Sequence, residues 1–170
     1  DARDAITLTA RSSLSPTLVL TAALTSKAPA PILLVDDDRW FEQLDRYESA
    51  LTAAGLATDV WQTCPALGMC REQSPPLTVL QWYPQVVWWT GYDWYAPVTA
   101  REEATLAAYL AGGGRLFLSS QDFLYHHGAD PFSRDFLGVL AYTESVTSTL
   151  VQAAPENPLG LAPDPHTLFY

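Results

Sequence analysis

The sequence predicts an α/β fold organised around a parallel sheet. Three observations carry that prediction. Short unbroken apolar runs, Ile32-Leu33-Leu34-Val35, Val86-Val87-Trp88-Trp89 and Leu116-Phe117-Leu118, have the length and hydrophobicity of strands covered on both faces. Helical signals separate them: Phe41, Leu44, Tyr47, Glu48, Leu51 and Ala54 fall at helical spacing as a mostly apolar stripe, and Thr99-Ala100-Arg101-Glu102 is a capping box. Glycines close these units, Gly55 after the first helix and Gly112-Gly113-Gly114 after the next. Strand–helix alternation of this kind folds as a parallel sheet with right-handed crossovers.

Residues 1–30 read differently. Ile6, Leu8 and Ala10 alternate with Thr7 and Thr9, and Leu18, Leu20, Ala22 and Leu24 alternate with Val19, Thr21 and Ala23. Ser12-Ser13-Leu14-Ser15-Pro16 lies between them. Period-two patterning around a turn predicts two strands. Two strands alone are marginal in water, so this segment is expected to be the end of a preceding β-sandwich-like domain. Ala28-Pro29-Ala30-Pro31 is its proline-stiffened linker.

The α/β domain is expected over 31–170. Its first strand is Ile32 to Val35, followed by the helix from Phe41. The second strand is Thr58 to Thr63, and a loop bracketed by Cys64 and Cys70 comes next. A helical turn at Leu77–Trp82 precedes the third strand, Val86 to Thr90. The capping box opens a helix, and Arg115 to Ser120 is the fourth strand. A short helix carrying His126-His127 follows, then a second with Asp130 as N-cap and Pro131 at N1, through Leu137. A later strand is expected over Thr143–Gln152, then a proline-rich irregular end. The simplest strand order is 2-1-3-4 with helices on both faces, a three-layer Rossmann-like, flavodoxin-like arrangement. Trp88 and Trp89 are expected in the core, one on each face, and Trp40, Trp61 and Trp82 are expected to pack as well.

The net charge of -10, from 9 Lys+Arg against 19 Asp+Glu, argues against nucleic acid and anionic membranes as partners. No segment reaches the roughly 18 apolar residues of a membrane span, and no basic-then-apolar leader opens the chain. Cys64 and Cys70, with five residues between them in one loop, suit a local disulfide in an exported protein and free thiols otherwise.

Sheets of this type bind ligands beyond the carboxyl ends of their strands, at the switch point between the first and third. That places Asp36-Asp37-Asp38 beside Tyr92, Asp93 and Trp94, with Gln121 and Asp122 next to them. Candidate ligand-binding residues are therefore Asp37, Asp38, Tyr92, Asp93, Trp94, Gln121 and Asp122. Oxygen donors from Asp38, Asp93 and Asp122 would suit Ca²⁺ or Mg²⁺, and Trp40, Tyr92, Trp94 and Tyr95 beside carboxylates would suit a carbohydrate. The plainer use of the acids is capping: Asp36 to Asp38 for the first helix, Asp122 for the helix after the fourth strand. The two histidines suit a helix end better than a chelate, because neighbours on a helix point about 100° apart.

Ile32-Leu33-Leu34-Val35-Asp36-Asp37-Asp38 resembles the opening of response-regulator receiver domains. Those need an Asp ending the third strand and a Lys after the fifth. Here the third strand ends at Thr90, and the chain's one lysine, Lys27, precedes the sheet. A phospho-receiver is excluded. A broader resemblance runs from about Pro31 to the end. The Asp36-Asp37-Asp38 junction with its aromatic helix, Val87-Trp88-Trp89-Thr90-Gly91-Tyr92-Asp93, and Gly112-Gly113-Gly114-Arg115-Leu116-Phe117-Leu118-Ser119-Ser120-Gln121-Asp122 together resemble class I glutamine amidotransferase-like domains of large exported bacterial proteins. Catalytic members carry a Cys nucleophile on a glycine-flanked strand-to-helix elbow. Here that turn reads Ser119-Ser120-Gln121-Asp122, without Cys or Gly.

The resemblance therefore implies a non-catalytic accessory or binding module of a secreted multidomain bacterial protein, extracellular or at the cell surface. It would need no cofactor. Its partners would be other domains of the same chain and a carbohydrate or peptide ligand, and its C-terminus is expected to be truncated. The alternative is an amidase- or esterase-like hydrolase, with Ser120 as nucleophile and His126 or His127 as base.

Overall fold

The computed structural model describes residues 3–64 and 74–144, together with the backbone at 150–151 and 166–167. Strands β1 (Arg3–Arg11) and β2 (Val19–Lys27) form the expected antiparallel hairpin. Its register pairs Ile6 with Leu24, Leu8 with Ala22 and Ala10 with Leu20, so the apolar residues share one face. That face is uncovered: Ile6, Leu8, Leu20 and Leu24 are all exposed. The Ser12 hydroxyl closes the turn by accepting from the Leu14 and Ser15 N–H groups at 3.2 and 3.1 Å.

The main sheet holds β3 (Ile32–Asp36), β4 (Thr58–Gln62), β5 (Gln85–Gly91) and β6 (Arg115–Ser120). All neighbours are parallel and the spatial order is β4-β3-β5-β6, the order expected from the sequence. The helices are α1 (Leu44–Ala53), α2 (Leu77–Leu80), α3 (Ala100–Ala111), α4 (Phe123–His127) and α5 (Pro131–Asp135). Two further short strands, β7 (Leu150–Val151) and β8 (His166–Thr167), pair antiparallel. Most of the strand expected over Thr143–Gln152 lies outside the described residues.

Alternation along the strands divides the core. Leu33, Val35, Val86 and Trp88 face one way and pack with Leu80, Leu106, Tyr109, Phe123 and Phe132 from the helical side. Ile32, Leu34 and Trp89 face the other way and are covered by Leu44, Tyr47 and Leu51 of α1. Tyr47 stacks on Trp89 at 4.2 Å. Trp88 and Trp89 thus occupy opposite faces, as expected, and Trp61 packs at the edge of the larger cluster. Trp40 and Trp82 do not pack: they are 41% and 70% exposed. Trp40 precedes α1, which begins at Leu44 rather than Phe41, and Trp82 lies just past the end of α2.

Capping follows the sequence at two helices. In α3, Thr99 Oγ1 accepts from Glu102 N at 3.3 Å, and Glu102 Oε2 accepts from Thr99 N at 2.6 Å. In α5, Asp130 Oδ1 accepts from Ser133 N at 2.7 Å, with Pro131 in the first turn. The segment after β2 is tied to the sheet through Asp59, which pairs with Lys27 and accepts from Ala30 N and Tyr83 OH at 2.9 and 3.0 Å. Burial opposes the Asp59 charge, but these bonds outweigh it and hold the pKa below the ordinary value.

Candidate functional site

The chain leaves β3 through four buried residues, Asp36 to Arg39. Two bonds extend the sheet here: Asp37 N donates to Trp89 O at 3.0 Å, and Thr63 N donates to Asp36 O at 2.9 Å. Each acid then has its own partners. Asp36 Oδ1 accepts from Asp38 N at 3.2 Å. Asp37 meets Thr63 Oγ1 at 2.7 Å through Oδ1 and Trp88 Nε1 at 3.1 Å through Oδ2. Asp38 Oδ1 accepts from Trp40 N and Phe41 N at 3.1 and 3.0 Å. The acids were expected to cap the first helix, and they do not. Residue Gln43 stands at the N-cap of α1 without a side-chain bond, and Asp38 caps a separate tight turn ahead of it. Asp122 does occupy the N-cap position of α4, also without a side-chain cap bond.

Arg39 answers this acidity. Its Nη2 donates to Asp93 Oδ2 and to Tyr95 O, the latter at 3.0 Å. Asp93 Oδ1 in turn accepts from Tyr95 N at 3.0 Å. The ion pair pins the loop after β5 onto the loop after β3. Within this junction Asp38 Oδ2 and Arg39 Nη1 are buried without a hydrogen-bond partner. A cavity of about 10 Å³ adjoins Arg39, lined also by Asp37, Asp93 and Glu102. That is room for about one water, and no substrate fits among the acids.

Burial raises the pKa of Asp36, Asp37 and Asp38. For Asp37 the charge of Glu102 adds to burial, and the value reaches about 7 against the bonds from Thr63 and Trp88 and the charge of Arg39. For Asp38 the bonds from Trp40 and Phe41 oppose burial.

Gly91 makes the Asp38 position possible. Its φ is +55°, and a Cβ there would lie 2.3 Å from Asp38 Oδ2. Gly91→Ala is expected to cost about 2–3 kcal/mol in urea unfolding, from backbone strain and displacement of a buried carboxylate. A change under about 0.5 kcal/mol would show that Asp38 is free to move.

Above the acids stands a rim of aromatic side chains. Trp40 and Phe41 come from the loop after β3; Tyr92, Trp94 and Tyr95 come from the loop after β5. Each is between 41% and 60% exposed. Phe41 meets Tyr92 edge-on with ring centres 6.1 Å apart, and Trp94 meets Tyr95 likewise at 6.1 Å. The Arg39 guanidinium lies 5.8 Å from the Trp40 ring.

The proposed nucleophile and base are not joined. Ser120 shares a 2.7 Å hydrogen bond with Thr90, and the exposed His126 ring meets the His127 ring edge-on. Ser120 also lacks the strained backbone of an elbow: among the described residues the non-glycine positive φ belongs to Ala96. Gln121 is exposed, with its N–H donating to Gly91 O at 3.3 Å.

Among the described residues, the His, Cys, Asp and Glu side chains that gather as a group of three are Glu103, His127 and Asp130, with ligand atoms within 4.8 Å of one another. Asp38, Asp93 and Asp122 form no such group. Sequence reasoning missed the trio. The His127-x-x-Asp130 spacing was visible, but Glu103 reaches it only through the packing of α3 against the α4–α5 turn. Burial and the Asp130 charge raise the Glu103 pKa to about 7, and burial lowers that of His127.

Cys64 is disulfide-bonded, and the chain's other cysteine is Cys70, which lies outside the described residues. No helix among the described residues is long and apolar enough to cross a membrane. Comparison with protein family models, curated proteins and solved structures finds no match to this chain.

Proposed function

We propose that this chain is a non-catalytic accessory module, of the amidotransferase-like α/β type with flavodoxin-like layering, that binds a carbohydrate on its aromatic rim. The observation that carries the reading is the convergence of Trp40, Phe41, Tyr92, Trp94 and Tyr95, all exposed, on two adjacent loops at the carboxyl end of the sheet. Aromatic faces stack on the apolar faces of sugar rings, and their polar tips serve the hydroxyls. Exposed aromatics in such density on a small domain mark a contact surface. The net charge of -10 disfavours acidic glycans, so the ligand class is neutral polysaccharide.

Other features support the remainder of the reading. The acids below the rim are engaged in the loop's own bonds and leave no substrate-sized space. Ser120 is bonded to Thr90, which speaks against a hydrolase. The disulfide at Cys64 suits an oxidising, extracellular setting. The apolar face of the β1–β2 hairpin is available to a neighbouring domain of the same chain.

Affinity electrophoresis and calorimetry against neutral polysaccharides, with an unrelated peptide library as the other arm, test the proposal. Trp94→Ala and Tyr92→Ala are each expected to weaken glycan binding by about tenfold, in line with loss of one stacking contact of about 1–2 kcal/mol. Retention that is absent, or unchanged from the parent in both variants, would remove the glycan reading; binding only to peptide would transfer the rim to that ligand. Ester or amide turnover abolished by Ser120→Ala would establish the hydrolase instead.

A further inference from the structure

We infer that Glu103, His127 and Asp130 form a binding site for a divalent first-row transition ion, apart from the aromatic rim. The three come from separate places: the first turn of α3, the last residue of α4 and the N-cap of α5. His127 Nδ1 lies 2.9 Å from Glu103 Oε1 and 3.7 Å from Asp130 Oδ2. Two ligands each about 2.1 Å from one ion stand about 3.0–3.4 Å apart at octahedral or tetrahedral angles. The two separations from His127 bracket that range, and the Glu103 and Asp130 oxygens lie within 4.8 Å of each other, so an ion would draw the trio modestly together.

Two of the ligands, Asp130 and His127, are held by contacts the ion would not use. Asp130 gives Oδ1 to the Ser133 N–H at 2.7 Å, which turns Oδ2 toward His127. The His127 ring is stacked on Phe123 at 4.8 Å, and Phe123 is anchored in the core against Phe132. Gly128, with φ +67°, reverses the chain between His127 and Asp130 so that both point the same way. Glu103 follows Glu102 of the capping box, whose bonds to Thr99 fix the first turn of α3. Packing and backbone bonds of this kind limit how far the ligands can move.

The donor set decides the class of ion. One imidazole and two carboxylates suit Zn²⁺ and its first-row neighbours, whereas Ca²⁺ and Mg²⁺ prefer oxygen alone. Two carboxylates also balance a dication. Three protein ligands leave positions for water, and two of them, Glu103 and Asp130, line a surface cleft of about 330 Å³ together with Ala107 and Phe132. The site is thus reachable from solvent.

Equilibrium dialysis of chelator-treated protein against Zn²⁺ is the test, with thermal unfolding and Co²⁺ visible absorption as second readouts. One tight equivalent is expected, with a rise in Tm at saturation and a Co²⁺ band that ends at one equivalent. Glu103→Gln and Asp130→Asn should each weaken Zn²⁺ at least about tenfold, His127→Gln should abolish the site, and His126→Ala should leave it intact. Ca²⁺ and Mg²⁺ should give no shift. Failure to bind one equivalent, or unchanged affinity in Glu103→Gln and His127→Gln, overturns the proposal. Glu103→Gln is nearly isosteric, so it decides the matter even where the His127 variant is poorly folded. Glycan binding at the rim is measured separately, and its failure would leave this site untouched.

Discussion

Arg39→Met is expected to lower the unfolding free energy by about 3–5 kcal/mol, the range for breaking a buried ion pair from one side. Arg39 is 2% exposed, and its guanidinium bonds to Asp93 Oδ2 and Tyr95 O. Asp93 is equally buried, and Asp37 and Glu102 line the same small cavity. Without the cation, Asp93 stays in low dielectric with its Tyr95 N–H bond as the remaining support. Chemical denaturation near pH 7 measures the loss. Arg39→Lys should fall between parent and Met, since an ammonium keeps the charge but not the planar fork that reaches both acceptors. Pairing Arg39→Met with Asp93→Leu should recover much of the loss, because the double variant leaves no orphan charge at this pair. The same pair holds Tyr92, Trp94 and Tyr95 in place, so glycan binding should fall with stability. A change of less than about 1 kcal/mol in Arg39→Met would show that this pair does not hold the two loops together.

What the sequence disclosed follows from the range of the forces involved. Ile32 to Val35 and Val86 to Trp89 were legible as strands because both faces of a parallel strand are buried, and burial writes an unbroken apolar run. The Thr99–Glu102 box and Asp130-Pro131 were legible because capping is set within three residues. The β4-β3-β5-β6 order followed from strand–helix alternation and crossover handedness. The start of α1 was misread because Asp38 satisfies the Trp40 and Phe41 N–H groups locally, and that turn competes with helix over the same residues. Trp40 and Trp82 were expected to pack, but a large aromatic ring suits a core and an exposed rim alike, and residue type does not distinguish them. The Arg39–Asp93 pair and the Glu103–His127–Asp130 trio were hidden for a different reason. Their members are brought together by packing between elements distant in the chain, which no local pattern encodes.

Asp37→Asn should be at least as stable as the parent at pH 8, whereas Asp37→Ala should cost about 2–4 kcal/mol. The reason is a count of hydrogens. The Thr63 hydroxyl owns one, yet lies 3.1 Å from Asp36 O and 2.7 Å from Asp37 Oδ1. Ionised Asp37 and the Asp36 carbonyl must compete for it. A proton on Asp37 Oδ1 resolves the conflict: Asp37 donates to Thr63, Thr63 donates to the Asp36 carbonyl, and Asp37 Oδ2 accepts from Trp88 Nε1 at 3.1 Å. Asparagine reproduces that arrangement, with its amide N–H toward Thr63 and its oxygen toward Trp88. Alanine leaves Trp88 N–H without an acceptor and opens a void.

The pH dependence of this site has a definite sign. Burial and Glu102 raise the Asp37 pKa from 3.8 to about 7 in the folded chain. Between those values the folded state holds a proton that the unfolded state has released. The contribution of Asp37 is therefore most favourable at low pH and declines as pH rises from about 4 through 7. Asp37→Asn removes that decline. Urea unfolding at pH 4, 6 and 8 should find the two proteins nearly alike at the acid end. At pH 8 the variant should be ahead by about 1–3 kcal/mol. A variant less stable than the parent at pH 8, or a difference that does not change with pH, would mean that Asp37 is ionised in the folded chain across the whole range, with no raised pKa. The acidic junction after β3 would then depend on Arg39 for more charge compensation than the Asp93 pair alone requires.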